Sequence, residues 1–458
     1  MNVLELRQER ELIFDQLYSY KVPKRLISRV VLNQIFVMQY GEVPIVDSQY
    51  NFSLLEKSAR ELCEIIYSDT CPIQGGGVTS RFASGTQLIK SKTFQMGKDG
   101  FIQHPNVVGM EPNNYDSLIN DPFACLVDIV IPKLYGGINP NDAITTLRNI
   151  SMSKMSIDYD SGVLANFISK LVEEKGYYTP PRGINGFTAA PFDFLADQLR
   201  SFSGISMDIR RNPNKVRDAC EALYPLMFKL GIPSKISHLG LVNTPLHMPT
   251  FMREKDVRDL WLPTYKRLAE QYAALGIRIN AFCEDNWDRY LDLLLELPAG
   301  IQLRFEYGDI KKIKDKLGKK FIIGTNFPIN LLKHGTKQEC INKAKEIMDD
   351  TMDGGGVVFG FDKGNFVLSN VNIENLNAVL ETVRDYGVYC NAGEPSCVAP
   401  LNSEKFEYDI AQDEVIASKY TFDWNEFEKD YPYAPEITRK RFQKFDEDTM
   451  KYYLTLLT

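Results

Sequence analysis

An alternation of helical and strand-like segments between residues 256 and 390 constrains the fold of this chain most strongly. In residues 256–276 the apolar side chains recur at helical spacing, and Gly276 stands where a helix would end. Residues 277–283 (IRINAFC) then form a short apolar run, which is typical of a strand buried on both faces. This run leads directly into three polar residues, Glu284, Asp285 and Asn286. A buried strand that ends in carboxylates suggests a functional site.

The same pattern repeats along the chain after this first strand. Further strands are predicted at 301–309, 319–328 and 357–364, and a helical pattern follows each of the last two. Thr336 and Glu339 have the spacing of a capping box at the start of the first of these helices. The strand at 301–309 also finishes on acids, Glu306 and Asp309. Four successive units with polar residues at the carboxyl ends of their strands predict a (β/α)8 TIM barrel, whose active site lies on that face. An open doubly wound sheet is the alternative α/β fold.

Length and composition indicate a globular protein with extensions around one barrel. The chain has 458 residues, of which 44% are hydrophobic and 25% are charged. A barrel uses roughly 250 residues, so we predict an N-terminal helical extension over 1–70, a catalytic barrel over 71–400 and a C-terminal helical tail over 401–458 that packs on the barrel.

The charge of the chain argues against two classes of partner. A net charge of -7 offers no overall attraction for nucleic acid or an anionic membrane. No apolar run of membrane-spanning length appears, and residues 1–17 are amphipathic and charged rather than signal-like. We therefore predict a cytoplasmic protein with neither nucleic acid nor membrane as a partner.

Cysteine and histidine usage gives no compact metal motif. The eight cysteines contain no C-x-x-C pair, which is typical of reduced thiols in a cytosolic enzyme. The four histidines lack H-E-x-x-H spacing. The glycine run at residues 75–77 lacks the Lys and Ser/Thr of a phosphate loop, so we predict a plain turn there.

A series of short motifs resembles a known family. Their order is SHLG (237–240), WLPTYK (261–266), FCEDN (282–286), GDIKKIKDKLG (308–318), GTNFPINLLKHGT (324–336) and NIENLNAVLETVRDYG (372–387). This order and spacing, over roughly residues 100–390, is similar to the uroporphyrinogen decarboxylase superfamily. The resemblance implies a single (β/α)8 barrel, in agreement with the strand pattern.

The superfamily has two main branches, and the resemblance favours one of them. One branch decarboxylates a tetrapyrrole that bears eight carboxylates, using an amino-terminal Arg-rich motif, and residues 1–70 show no counterpart of that motif. The other branch comprises cobamide-dependent methyltransferases, which exchange methyl groups with the cobalt of a separate corrinoid protein. The resemblance therefore implies a methyltransferase similar to the O-demethylase members.

The zinc-thiolate pattern of many such methyltransferases is not matched here. Alignment on Asn286 places Phe282 at the family's His position and Glu284 at its first Cys position. The second Cys falls near Asn365, beside the pair Asp362 and Lys363. This departure argues against thiol substrates and implies demethylation of an ether or amine, with a carboxylate in the site. Any bound zinc would be held by O and N ligands, Glu284, Glu306, His238 and His247.

The candidate catalytic residues are Glu284, Glu306, His238, His247 and Asp362. Glu284 can act as a general acid, a metal ligand or a charge at a helix N-terminus. His238 and His247 flank what we predict to be a loop on the same face, and each can donate a proton, ligate a metal or be an ordinary hydrogen-bonded histidine. We expect Asp285 and Asp309 to be helix caps and Cys283 to be a core residue.

The expected reaction moves a methyl group from a small methylated substrate, such as a phenyl methyl ether, to Co(I) of a partner corrinoid protein. Met248 and Met252 would form a flexible apolar rim for the corrinoid, or simply pack in the core. A tetrapyrrole decarboxylase and a non-catalytic corrinoid-binding module are the alternatives, and a homodimer is one possible assembly.

Overall fold

The computed structural model describes residues 2–73, 82–364, 366–401 and 415–458. It contains a small antiparallel hairpin, β1 (Gln95–Met96) with β2 (Ile102–Gln103). Its main sheet has six parallel strands that neighbour one another in chain order. These strands are β3 (Gly186–Phe187), β4 (Leu241–Leu246), β5 (Arg278–Asn286), β6 (Gln302–Tyr307), β7 (Ile322–Gly324) and β8 (Val357–Val358).

Helices connect successive strands of this sheet, as parallel pairing requires. Between β3 and β4 lie Pro191–Phe194, the π-helix Leu195–Arg200, Phe202–Arg211 and Pro213–Gly231. Between β4 and β5 lie the 3₁₀ helix Met248–Phe251, Glu254–Asp256, the π-helix Val257–Trp261 and Leu262–Ala274. Later connections contain the 3₁₀ helix Asp288–Tyr290, Leu291–Leu294, Ile310–Leu317, Ile329–His334 and Lys337–Thr351; the 3₁₀ helix Leu368–Asn370 and Ile373–Tyr386 follow β8.

Helices also occupy both ends of the chain and the region before β3. The N-terminal part contains Val3–Tyr18, Gln34–Tyr40, Ile45–Ser48, the 3₁₀ helix Phe52–Leu55, Glu56–Ile65 and Ala83–Leu88. Before β3 come the 3₁₀ helix Pro112–Asn114, Tyr115–Asn120, Pro122–Cys125, the π-helix Leu126–Val130, Ile131–Leu134 and the long helix Ala143–Lys175. The C-terminal part contains Trp424–Asp430 and Glu436–Leu457.

The two faces of β5 differ in a way that positions the site. Ile279, Ala281 and Cys283 are fully buried on one face, which confirms Cys283 as a core residue. Because side chains alternate along a strand, Asn280, Phe282 and Glu284 share the opposite face. Asn280 lines a cavity on that face. Glu284 therefore lies above the cavity-facing residues of its own strand.

Single parallel bridges extend the pairing beyond the six strands. Leu32 bridges both Ile73 and Phe366, and Thr70 bridges Tyr178. The segments at 32 and 70–73 thus lie between the region after β8 and the region before β3. The predicted α/β class is confirmed as a six-stranded parallel sheet interleaved with helices.

Both termini are anchored to the rest of the molecule. The Arg10 guanidinium donates hydrogen bonds to the carbonyls of Lys175, Gly176 and Ser68, and this ties the first helix to the end of the long helix. The predicted C-terminal helix is present, and Leu454, Leu456 and Leu457 within it are buried. The proposed domain bounds at 70 and 400 stay predictions, and the glycine run at 75–77 lies outside the described residues.

The structure contains two of the three predicted helix N-caps. Thr336 and Glu339 form the expected capping box at the start of Lys337–Thr351. Asp309 caps Ile310–Leu317, since its carboxylate accepts hydrogen bonds from the amides of Lys311 and Lys312. The prediction that Asp285 is a cap is wrong: it lies within β5 with a left-handed backbone, φ 62°.

Among the described helices, none combines the length and apolar content that crossing a bilayer requires.

Candidate active site

Four ionisable side chains meet at the carboxyl ends of neighbouring strands. Asp197 lies on the π-helix that follows β3, and His247 comes directly after β4. Glu284 lies near the end of β5, and Glu306 near the end of β6. The carboxyl ends of parallel strands share one edge of a sheet, which is where α/β enzymes place their active sites. Three of the five predicted catalytic residues, His247, Glu284 and Glu306, are therefore among these four side chains.

His247 is held by a carboxylate that the sequence did not single out. Its Nδ1 lies 3.1 Å from Oδ1 and 3.2 Å from Oδ2 of Asp197, so the Nδ1–H donates to this carboxylate. The hydrogen bond and the negative charge of Asp197 raise the pKa of His247 to about 9, with a smaller contribution from Glu284. The imidazole is therefore protonated at neutral pH. Its Nε2 has no hydrogen-bond partner in the described part of the chain.

Asp193 is a buried carboxyl group near the His247–Asp197 pair. It is 2% exposed, and its two oxygens accept hydrogen bonds from the Met248 amide at 2.8 Å and from Trp261 Nε1 at 3.0 Å. Burial, together with the nearby charge of Asp197, raises the pKa of Asp193 to about 7. Asp193 therefore fixes the start of the 3₁₀ helix that follows His247.

Glu284 lies within the electrostatic reach of His247, Asp197 and Glu306. Burial raises the pKa of its carboxyl; His247 opposes this shift, whereas Asp197 and Glu306 add to it. No hydrogen bond to its carboxylate is formed by any described residue. A half-buried carboxyl without a fixed partner, beside an imidazolium, is suited to exchanging a proton with a ligand.

Glu306 is more tightly held than Glu284. Its Oε2 accepts a hydrogen bond from the Asp285 amide at 2.9 Å, and its Oε1 lies 3.4 Å from Lys363 Nζ. The left-handed backbone at Asp285 turns this amide toward Glu306, which explains why Asp285 does not cap a helix. Glu306 is thus an anchored charge between β5 and the segment that follows β8.

Asp362 mainly orders the backbone of its own loop. It is 8% exposed, and its Oδ1 accepts a hydrogen bond from the Ile329 amide at 3.1 Å, at the start of Ile329–His334. Burial raises the pKa of this carboxyl, and Glu306 adds to the shift. Asp362 therefore belongs to the same charge cluster, and Asn365, aligned above with a zinc ligand, lies outside the described residues.

His238 lies at the opposite end of the sheet from this cluster. The segment between the two histidines is strand β4 rather than the predicted loop, so His238 precedes the strand and His247 follows it. His238 Nε2 lies 2.8 Å from Asp15 of the first helix. The six residues of β4 extend about 20 Å, so the two histidines cannot share a ligand.

Met248 and Met252 do not form an exposed rim. They are 1% and 5% exposed, and the Met248 amide donates a hydrogen bond to the buried Asp193. Phe251 and Phe202 take the exposed position instead, at 52% and 45%. Their rings are 5.1 Å apart, and the Phe251 ring lies edge-on to His247 at 5.6 Å. The apolar rim beside the acids is therefore aromatic.

The predicted oxygen and nitrogen ligands for zinc are not gathered at one point. His238 is remote, and Glu306 is engaged by Lys363 and the Asp285 amide. Within the described ranges, no group of three or more His, Cys, Asp and Glu side chains is arranged to hold a metal ion. Zinc binding at this edge therefore stays a prediction. The arrangement of the described oxygen and nitrogen donors does not support it.

A cavity of about 540 Å³ extends below the acidic edge. Its lining includes Arg29, Arg304 and Lys363 but not Glu284, Glu306 or His247. Lys363 connects the two regions, because it lines the cavity and also pairs with Glu306. Arg304 shares the cavity-facing side of β6 with Glu306, two residues earlier. The i, i+2 spacing of Arg304 and Glu306 on a predicted strand indicates, from the sequence alone, that both side chains lie on one face. No local sequence pattern distinguishes Arg29 or Asp197 from other charged residues.

The comparisons with known proteins place the chain in one family. The family model described as uroporphyrinogen decarboxylase (URO-D) matches residues 136–386, which is more than half of the chain. No curated protein matches the sequence. The matched range contains β3 to β8 and every residue of the acidic edge. The chain therefore belongs to the uroporphyrinogen decarboxylase family, which includes decarboxylases and methyltransferases.

Proposed function

We propose that this protein transfers a methyl group from a small methylated substrate, of the phenyl methyl ether class, to a partner corrinoid protein. The observation that carries the proposal is the proton donor at the sheet edge: His247, protonated through Asp197, beside the half-buried Glu284. Cleavage of a methyl–oxygen bond leaves an alkoxide or phenoxide, which must be protonated. A positioned acid typically contributes about 10²–10⁴-fold to such a step.

The division of roles follows from the contacts of each residue. His247 Nε2–H points away from the Asp197 contact and can donate its proton to the leaving oxygen. Glu284, whose charge acts on His247, is assigned to bind the departing hydroxyl and to exchange a proton with it. Asp197 is a positioning residue, because it acts through His247 and keeps the imidazole charged.

The surface around this edge supports the proposed corrinoid partner. A reduced cobamide on that partner would supply a strongly nucleophilic cobalt centre as the methyl acceptor. The exposed rings of Phe251 and Phe202 give the edge an apolar surface next to His247, as the apolar face of a corrin ring requires.

We also infer that the sheet closes into a (β/α)8 barrel. The support is the set of parallel bridges from Phe366 to Leu32, from Leu32 to Ile73 and from Thr70 to Tyr178. They lead from the region after β8 back to the region before β3 through two extended segments. The cavity is lined by residues from both these segments and the sheet, as the interior of a closed barrel would be.

The second candidate function is decarboxylation of a carboxylated substrate. Arg29 and Arg304 favour it, since paired cations in a cavity suit carboxylates. A non-catalytic corrinoid-binding module has no comparable support, because it would not need a protonated histidine beside an acid.

The test is a methyl-transfer assay with a reduced corrinoid protein and a panel of methyl ethers and methylamines. We expect transfer from at least one ether, and we expect His247→Gln to lower its rate about 10²-fold. His334→Gln is the matched control, because His334 is exposed at the end of another helix. Carbon dioxide release without methyl transfer would favour decarboxylation, and an unchanged rate in His247→Gln would contradict the assigned acid.

A further inference from the structure

The long helix Ala143–Lys175 has two different sides. Because an α-helix turns by about 100° per residue, its buried residues all lie close to one line along it; they are Ser153, Ile157, Asp160, Leu164, Phe167 and Leu171. On the opposite side lie four large apolar residues that are 68–84% exposed, Ile144, Leu147, Met155 and Tyr159. We call these four residues the outer stripe. The buried side attaches the helix to the rest of the chain, so the outer stripe faces solvent.

The outer stripe is larger than the apolar patches of an ordinary monomer surface. Single exposed apolar side chains are common, but a contiguous patch of more than a few hundred Å² marks an interaction site. Four large side chains at these exposures present on the order of 600 Å², and Met152 at their margin adds to this area. A stable interface of standard size buries roughly 800 Å² on each partner. The outer stripe therefore has nearly the area that one side of a dimer needs.

The same side of the helix continues beyond Tyr159 with small residues. Gly162, Ala165 and Ser169 are all exposed. Glycine inside a helix costs up to about 1 kcal/mol relative to alanine, and Gly162 has an ordinary helical backbone. A Cβ added at Gly162 would meet no atom within 4 Å, so packing within this chain does not require glycine there. A second helix that approaches closely would.

The large and small residues make this side of the helix complementary to itself. Large side chains occupy its N-terminal half and small ones its C-terminal half. When two copies of the helix lie antiparallel, the large half of each meets the small half of the other. Lys154 and Asp158, which form an ion pair on one flank of the helix, follow the same rule, because reversing the helix brings a cation opposite an anion.

We propose that the outer stripe is the two-fold interface of a homodimer, in which the long helices of two copies pack antiparallel. A two-fold axis beside Ser156 places Lys154 of each copy opposite Asp158 of the other, because both positions are two residues from the axis. The same axis places Leu147 opposite Ala165. One surface thus satisfies both partners, as a closed two-fold dimer requires.

Sedimentation equilibrium of the full-length protein measures this assembly directly. The parent should sediment at twice the mass of one chain, 52.3 kDa. Met155→Glu should raise the dimer dissociation constant about 100-fold or more, because it places two like charges near the axis. Met155→Leu keeps an apolar side chain and should remain dimeric. Both variants should keep the circular dichroism of the parent, since Met155 is exposed within one chain.

A matched pair of substitutions tests where the interface lies. Ile144 is the second residue of the long helix, and Ile437 is the second residue of the C-terminal helix Glu436–Leu457. Both are exposed, so the local effect of a new carboxylate is the same in the two helices. Ile144→Glu should weaken the dimer about 10-fold, whereas Ile437→Glu should leave it unchanged. Equal effects of the two substitutions would overturn the assigned location.

Cross-linking tests the antiparallel arrangement. Met155→Cys places two thiols near the axis, so a copper(II) oxidant should produce a covalent dimer. The parent, with exposed Cys390 and Cys397, gives the background under the same oxidant. The two copies of residue 144 would be about 36 Å apart along the helices, so Ile144→Cys should not exceed that background. The reverse result, cross-linking through residue 144 but not through residue 155, would overturn the antiparallel arrangement.

The remaining outcomes also decide the matter. A monomeric parent, or a dimer that is unaffected by Met155→Glu, would overturn the proposal. A monomeric parent that loses binding to a corrinoid protein in Met155→Glu would assign the outer stripe to that protein instead of a second copy. None of these measurements uses a methyl donor, so failure of the proposed reaction would leave the dimer interface untouched.

Discussion

At the scale of single residues, the proposed chemistry depends on His247 and Glu284. Asp197 contacts the imidazole directly, whereas Glu284 influences it only through charge. The sequence predicted Glu284 and Glu306 because each follows or ends a strand whose hydrophobic pattern was clear, and it predicted His247 because this residue flanks a predicted loop on the same face. Asp197 and Arg29 could not be predicted, since they join the site only through the pairing of distant segments.

A pH profile of the reaction tests the role of His247. Asp197 raises the pKa of His247 from 6.5 to about 9, with Glu284 and Asp193 adding negative charge. The acid form is therefore present below this value and lost above it, so the methyl-transfer rate should fall as the pH rises through about 9. His247→Gln should lack this descending limb.

The same shift affects stability with a defined sign. The folded state binds the proton more tightly than the unfolded state, so the stabilisation is full below pH 6.5 and disappears as the pH rises through about 9. The pKa values of Glu284 and Asp193 are also raised in the folded state, so their contributions to stability likewise become less favourable as the pH rises. For the pH profile of the reaction, a methyl-transfer rate that stays constant to pH 10 in the parent protein would contradict the assignment of His247 as the acid.

At the scale of elements, the strongest local signals gave the most accurate predictions. The capping box and the helix that it starts, Lys337–Thr351, were both predicted. Strand β5 runs three residues beyond the predicted end at Cys283, because a shift in register lets Asn286 pair with Tyr307 on β6. Such a shift depends on the neighbouring strand and has no signature within the segment itself.

The capping box gives a stability prediction for the helix Lys337–Thr351. Thr336→Ala removes the hydroxyl that accepts the Glu339 amide hydrogen bond, so it should lower the free energy of unfolding by about 1 kcal/mol. Urea denaturation measures this change. Ser151→Ala, at an exposed position in the long helix and beyond its cap, should change it by less than about 0.5 kcal/mol. Equal effects of the two substitutions would contradict the capping role.

At the scale of the whole molecule, the alternation of strands and helices predicted the α/β class. The order of the sheet follows the chain from β3 to β8, as four predicted units implied. The proposed closure into a barrel would involve residues 32, 70–73 and 178, for which the described pairing consists of single bridges. Those segments are short and lack strand periodicity, so the sequence could not assign them. The homodimer and the corrinoid partner stay predictions.

The most direct test of the central claim follows a labelled methyl group from an aromatic methyl ether to a reduced corrinoid protein in a single turnover. The parent protein should transfer the label. Glu284→Gln should slow transfer about 10²-fold while its melting temperature stays close to that of the parent, because Gln keeps the shape and removes the ionisable group. Transfer at the parent rate by Glu284→Gln, or no transfer by the parent from any ether, would contradict the account.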